Sequence, residues 1–188
     1  LDLEVRGAWI DGAPARARMD AGRQTLTLDS GRALAPGRHT LKLDYAGRID
    51  GFSAGLFHLD YVSPAGPRRV LITQFENADA RRFAPCWDDP GVKAAYQLSV
   101  GAPAGQMAVS NTPVANVQPL AGGLQRTTFQ PTPKMSSYLM FLAVGDFERV
   151  SRKVDGVELG VVVPRGEAAK AAYALDQASA ILRYYNDY

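Results

Sequence analysis

QTLTLDSGRALAPGRHTLKLDYAG, residues 24–47, decides the fold class. Leu26 and Leu28 fall on one side of an extended chain, Thr25 and Thr27 on the other. After DSGRALAPGR the same period returns, with Leu41, Leu43 and Tyr45 on one side and Lys42 and Asp44 on the other. Successive side chains of a strand point to opposite faces, so a period of two marks a strand with one buried face. The Ser-Gly and Pro-Gly pairs between the two runs supply the bend.

The period extends in both directions. Leu3, Val5 and Gly7 alternate with Asp2, Glu4 and Arg6, and IDGAPAR supplies the next turn. RRVLITQF, AYQLSVGAP, MAVSN, RTTFQPT and GVELGVVVP continue as strands. YLMFLAVGDFERV is almost continuously apolar, which predicts a strand covered on both faces. Many short strands broken by Gly- and Pro-bearing turns predict an all-β sandwich or open barrel. From Glu167 to Tyr188 the period changes. Ala168, Ala172, Leu175, Ala178, Ile181, Leu182 and Tyr185 recur at three- and four-residue spacing, which predicts a helix. No Gly or Pro stop signal follows it. The expected division is a β domain over 1–166 and, over 167–188, the first helix of a further domain.

The chain has 188 residues, 46% of them hydrophobic. That length suits one ordinary domain, or one plus the start of another. A net charge of +2, with no run of Lys or Arg longer than two, gives no footprint for nucleic acid. No stretch approaches 18 apolar residues, so no membrane-spanning segment is expected. The first residues, LDLEVRGAWIDG, are charged where a signal peptide has its apolar core, and they open directly in a strand-like alternation. An upstream segment is therefore expected. The compartment is left open.

One cysteine, Cys86, excludes an internal disulfide and a multi-Cys zinc site. Flanked by Pro85 and Trp87, it reads as a small hydrophobe. His39 and His58 stand 19 positions apart, and neither has a second His one helical turn away, the spacing a catalytic zinc site commonly uses. No metal ligands and no catalytic residues are expected in this chain. No Gly-x-Ser-x-Gly and no phosphate-cradling loop occurs. Asp88 and Asp89 before Pro90 read as turn initiators. Glu76 follows Phe75 at the end of RRVLITQF, in register to emerge at the strand end with Gln74. On residue types alone it is a surface carboxylate of a β-rich domain.

TQFENADARRFAPCWDDPGVKAAY, from Thr73, resembles a signature of the zinc aminopeptidases related to aminopeptidase N. In those proteins Thr-Gln-Phe-Glu leads into Asp-Ala-Arg-Arg, then Phe-Pro-Cys-Phe-Asp-Glu-Pro and a Lys. Three further pieces agree in order: GLFHLDY at 55–61, PKMSSYLMFLAVGDFE at 133–148, and VVVPRG followed by the helical segment. Trp87 stands where Phe or Gln is usual and Asp89 where Glu is usual. Ala84 occupies a place where an aromatic is common.

The resemblance implies the N-terminal domain of such an enzyme, a saddle-like β-sandwich beside a catalytic domain. Zinc and its His-Glu-x-x-His motif would then lie in that intramolecular partner, downstream of Tyr188. The residue matching Glu76 holds the free α-amine of the peptide substrate, and the one matching Gln74 lines the pocket for the first side chain. The peptide bond after Glu76 is implied to be cis. This chain alone would bind no zinc and hydrolyse nothing. A β-sandwich binding module, or an inactive relative of the aminopeptidases, predicts the same fold.

Overall fold

The computed structural model describes residues 3–63 and 65–188. Leu1, Asp2 and Pro64 lie outside the described residues, and with Asp2 goes the first position of the N-terminal alternation. In chain order the strands are β1 (Leu3–Ile10), β2 (Ala13–Pro14), β3 (Arg16–Asp20), β4 (Thr25–Asp29), β5 (Leu41–Gly47) and β6 (Gly55–Ser63). There follow β7 (Gly66–Gln74), β8 (Lys93–Ala94), β9 (Ser99–Pro103), β10 (Met107–Ser110) and β11 (Val114–Leu120). The last are β12 (Leu124–Phe129), β13 (Met135–Ser136), β14 (Leu142–Gly145), β15 (Phe147–Val154) and β16 (Val157–Pro164), and then helix α1 (Ala171–Asp187). The ladders β1-β2, β1-β5, β3-β4, β7-β14, β8-β13, β9-β12, β10-β14, β11-β12 and β15-β16 are antiparallel. The architecture is all-β and sandwich-like, with one C-terminal helix.

The chain divides into two compact units. The first comprises residues 1–57, 73–95 and 133–140. It holds the sheet β2-β1-β5, the β3-β4 hairpin and the short β8-β13 pair. Leu26 and Leu28 turn to the half-buried side of β4 and Leu43 and Tyr45 to that of β5, as the period of two requires. In β1 a bulge between Val5 and Gly7 shifts the register against β5. One extra residue moves every later side chain to the opposite face. Ala8 and Ile10 are therefore the buried residues, and Gly7 does not continue the face of Leu3 and Val5.

The second unit comprises residues 58–72, 96–132 and 141–188. Its sheets are β10-β14-β7-β6, β11-β12-β9 and the β15-β16 hairpin. The apolar run at 138–150 is not one strand. A 3₁₀ turn occupies Ser137–Leu139, and β14 and β15 follow as separate strands. All four residues of β14 are buried, as a central strand demands. AYQLSVGAP forms a ladder strand only from Ser99, although the Tyr96 and Leu98 carbonyls accept the Thr132 and Phe129 N–H groups.

Helix α1 packs on β15 and β16 through Ala171, Leu175 and Ser179, all buried. That stripe differs from the expected one, since Ala172, Ile181 and Tyr185 are exposed. The sequence is apolar around more than one face, and the small residues allow the closest approach. Ser179 tolerates burial because its hydroxyl donates to the Leu175 carbonyl at 2.6 Å.

Candidate functional site

β7 delivers the candidate residues by simple alternation. Thr73 and Phe75 are buried, whereas Gln74 and Glu76 are exposed. Phe75, 2% exposed, anchors the strand end inside the first unit, with its ring 5.4 Å from that of Phe83. The chain then folds back at once. The Asp79 N–H donates to the Phe75 carbonyl at 2.9 Å, and a 3₁₀ turn follows over Ala80–Arg82. Ala80 is wholly buried, which leaves no room for a larger side chain at the start of that turn. The Glu76–Asn77 peptide bond is cis, as the resemblance implies.

Gly55 shows how closely the turn is packed. It has φ +73, and a Cβ there would lie 2.7 Å from Cβ of Arg82. Only glycine meets both the backbone and the space requirements.

The charged residues after Glu76 neutralise one another. Arg82 Nε donates to Asp79 at 2.7 Å. Asp88, buried, accepts from the backbone N–H and Nε of Arg81, each at 3.0 Å, and from the Ser137 hydroxyl at 2.6 Å. Arg81 also donates to the Gln24 side-chain oxygen at 2.9 Å and to the Asp88 carbonyl at 3.2 Å. Asp89 accepts the Gly91 N–H at 2.8 Å, the side-chain turn its sequence predicts. Ser136 donates to the Pro90 carbonyl at 2.6 Å. Among the described residues, the Glu76 carboxylate has no hydrogen-bond or ion-pair partner. A free acid beside a set of paired ones is the one able to receive an external cation.

Cys86 is half-buried, and burial first, then the nearby Asp88 charge, pushes its thiol up to about 11, against the opposing pull of Arg81. It is no nucleophile at neutral pH. His39 donates from Nδ1 to Asp11 at 2.7 Å and from Nε2 to the Ala35 carbonyl at 2.8 Å, so both ring nitrogens are occupied. Among the described residues, no three of His, Cys, Asp and Glu gather in a metal-ligating group. The donor set here does not fit a zinc ion.

Sequence reasoning placed Gln74 and Glu76 at the strand end; Gln74 is the last residue of β7, and Glu76 lies in the turn just beyond it. It missed the Asp88–Arg81–Ser137 cluster. The only signals were an acid seven residues after an arginine and a Ser-Ser pair far along the chain, and neither indicates contact.

A sequence profile described as the peptidase M1 N-terminal domain matches residues 4–139. The chain is 41% identical over 188 residues to a protein named aminopeptidase N from Acetobacter pasteurianus, which covers 99% of this chain and 53% of that protein. It is 36% identical over 148 residues to a probable aminopeptidase 2 from Sulfurisphaera tokodaii, 79% of this chain and 18% of that protein. It is 34% identical over 170 residues to endoplasmic reticulum aminopeptidase 1 from Mus musculus, 89% of this chain and 18% of that protein. The chain thus spans about half the length of the first of these relatives and about a fifth of the others. With the profile covering most of its length and the aminopeptidase signature built into the β7 turn, the chain belongs to the peptidase M1 N-terminal domain family.

Proposed function

We propose that this chain is the non-catalytic N-terminal domain of a zinc aminopeptidase and supplies part of the wall that binds the substrate's free α-amine. Glu76 receives the ammonium group, together with a carboxylate from the catalytic domain. Gln74 lines the pocket for the first side chain. An ammonium held between carboxylates in a partly desolvated cleft gains charge-assisted hydrogen bonds. Fixing the first residue also sets the scissile bond at one place, which makes cleavage exopeptidic. Among the described residues no three His, Cys, Asp or Glu side chains gather in a metal-ligating group, and in this reading the zinc is held by the catalytic domain. Helix α1 and the residues from 167 onward are the start of that domain.

The observation that carries the proposal is the exposed carboxylate of Glu76 just past the end of β7, without a partner among the described residues, whereas Asp79 and Asp88 are ion-paired to Arg82 and Arg81 and Asp89 accepts the Gly91 N–H. Membership in the M1 N-terminal family and relatives named aminopeptidases support it. The test compares the natural polypeptide carrying this domain with the 188-residue chain alone, using an aminoacyl p-nitroanilide. Turnover by the former, its loss with a chelator, and none by the latter are expected. Metal-dependent turnover by the chain alone would overturn the proposal. No turnover by the natural polypeptide would instead favour an inactive relative.

A further inference from the structure

Asp88 does more than begin a turn. Its two carboxylate oxygens face different partners. Oδ2 accepts the backbone N–H and Nε of Arg81, inside the 3₁₀ turn that follows Glu76. Oδ1 accepts the hydroxyl of Ser137, 49 residues away in sequence and 1% exposed. The β8-β13 pair, Lys93 with Ser136 and Ala94 with Met135, and the Ser136–Pro90 hydrogen bond hold the two supporting segments together. Arg81 in turn reaches Gln24 beside the β3-β4 turn. From Asp88 to Glu76 the path is short: Arg81 lies in the turn, the turn closes on Asp79, and Asp79 bonds back to the Phe75 carbonyl.

We infer that Asp88 is a positioning residue for the substrate amine, acting through the turn on Glu76. The inference rests on the amine-binding role proposed above. Both Asp88 and Ser137 are buried, so neither can touch substrate from this unit's surface. Their contribution is to keep one rotatable carboxylate over one spot, which lowers the cost of ordering it when the ammonium arrives.

The test uses the natural polypeptide and the variants Glu76→Gln, Asp88→Asn and Ser137→Ala, singly and combined. The readouts are KM and kcat on a free-amine aminoacyl reporter, with circular dichroism to establish folding. Asp88→Asn is expected to raise KM about tenfold and to lower kcat much less, the cost of a loosened binding group. Ser137→Ala should raise KM in the same direction by a smaller factor. In a Glu76→Gln background, neither change should raise KM further. Glu76→Gln with wild-type KM overturns the amine-binding reading, and the positioning role falls with it. Glu76→Gln raising KM while folded Asp88→Asn and Ser137→Ala do not would overturn the positioning role alone. Full additivity with Glu76→Gln would overturn it too, because a merely structural defect does not depend on Glu76. If Asp88→Asn does not fold, Ser137→Ala decides by the same criteria.

Discussion

Asp88 Oδ2 binds Arg81 twice, through the backbone N–H and through Nε, both at 3.0 Å. The acid side chain is almost fully buried at 2% exposure, whereas the arginine is about a third exposed at 32%. Removing the acid therefore strands a cation that water still reaches in part. Asp88→Ala is predicted to destabilise the chain by about 3 kcal/mol, the low end for breaking a buried pair. Ser137→Ala leaves one buried carboxylate oxygen short of a donor and should cost about 1–2 kcal/mol. Urea unfolding of the 188-residue chain measures both. A loss below about 0.5 kcal/mol for Asp88→Ala, the size of a plain surface substitution, would show the pair to be ornamental.

His39 and Asp11 set a pH window. The Asp11 hydrogen bond, then the Ala35 carbonyl, raises the His39 pKa above its ordinary 6.5. The Thr40 backbone N–H, then His39, lowers that of Asp11 below 3.8. A raised histidine pKa contributes stability that is full below 6.5 and is lost as pH climbs through the folded value. The lowered Asp11 pKa contributes stability present above 3.8 and lost as pH falls through its folded value. The pair should therefore support the fold between these limits. The prediction is that wild type exceeds His39→Gln in urea midpoint at pH 5 to 6 (about the window centre) and that the gap narrows on the alkaline side. A gap that widens above pH 7 (roughly where an unperturbed His is neutral) would contradict the assigned direction.

Cys86 offers a chemical test of packing. With its thiol pushed up to about 11 from an ordinary 9.0, the native thiolate should be roughly a hundredfold scarcer than in the unfolded chain. An aromatic disulfide reagent at pH 8 (about the usual working pH for thiolate trapping) should label the native chain slowly and the urea-unfolded chain fast. Equal rates would mean that the thiol is neither desolvated nor influenced by Asp88.

Several strands were legible where one face is buried and the other is wet, although β3 and β6 were not read as strands. Leu26/Leu28 in β4 and Leu43/Tyr45 in β5 follow the period directly. β11 escaped notice because nearly all its residues are exposed and Pro119 interrupts the run. A strand exposed on both sides leaves no alternation to read. The bulge after Val5 was equally silent, since a shift of register changes no residue type. At the candidate site, exposure of Gln74 and Glu76 followed from counting twos from a buried Phe75. The clamp by Asp88 did not. It depends on Ser137, and long-range hydrogen bonds leave no mark on local composition.

Phe75 and Glu76 are adjacent, yet their substitutions should separate stability from function. Phe75 is 2% exposed, with its ring tilted against that of Phe83. Phe75→Ala empties that space and should cost about 3–5 kcal/mol. Glu76 is exposed and unpartnered among the described residues, so Glu76→Ala should stay within about 0.5 kcal/mol of wild type. In the natural polypeptide the order reverses for substrate capture. Glu76→Ala should raise KM for a free-amine aminoacyl reporter by roughly a hundredfold, the loss of one charge-assisted contact of about 1.5–3 kcal/mol or slightly more. Those two outcomes together would explain, by what it binds, an acid kept at the surface at no gain to the fold. If Glu76→Ala instead destabilised the chain by more than about 2 kcal/mol, a size reserved for structural contacts, its role would lie inside the domain and not at the substrate.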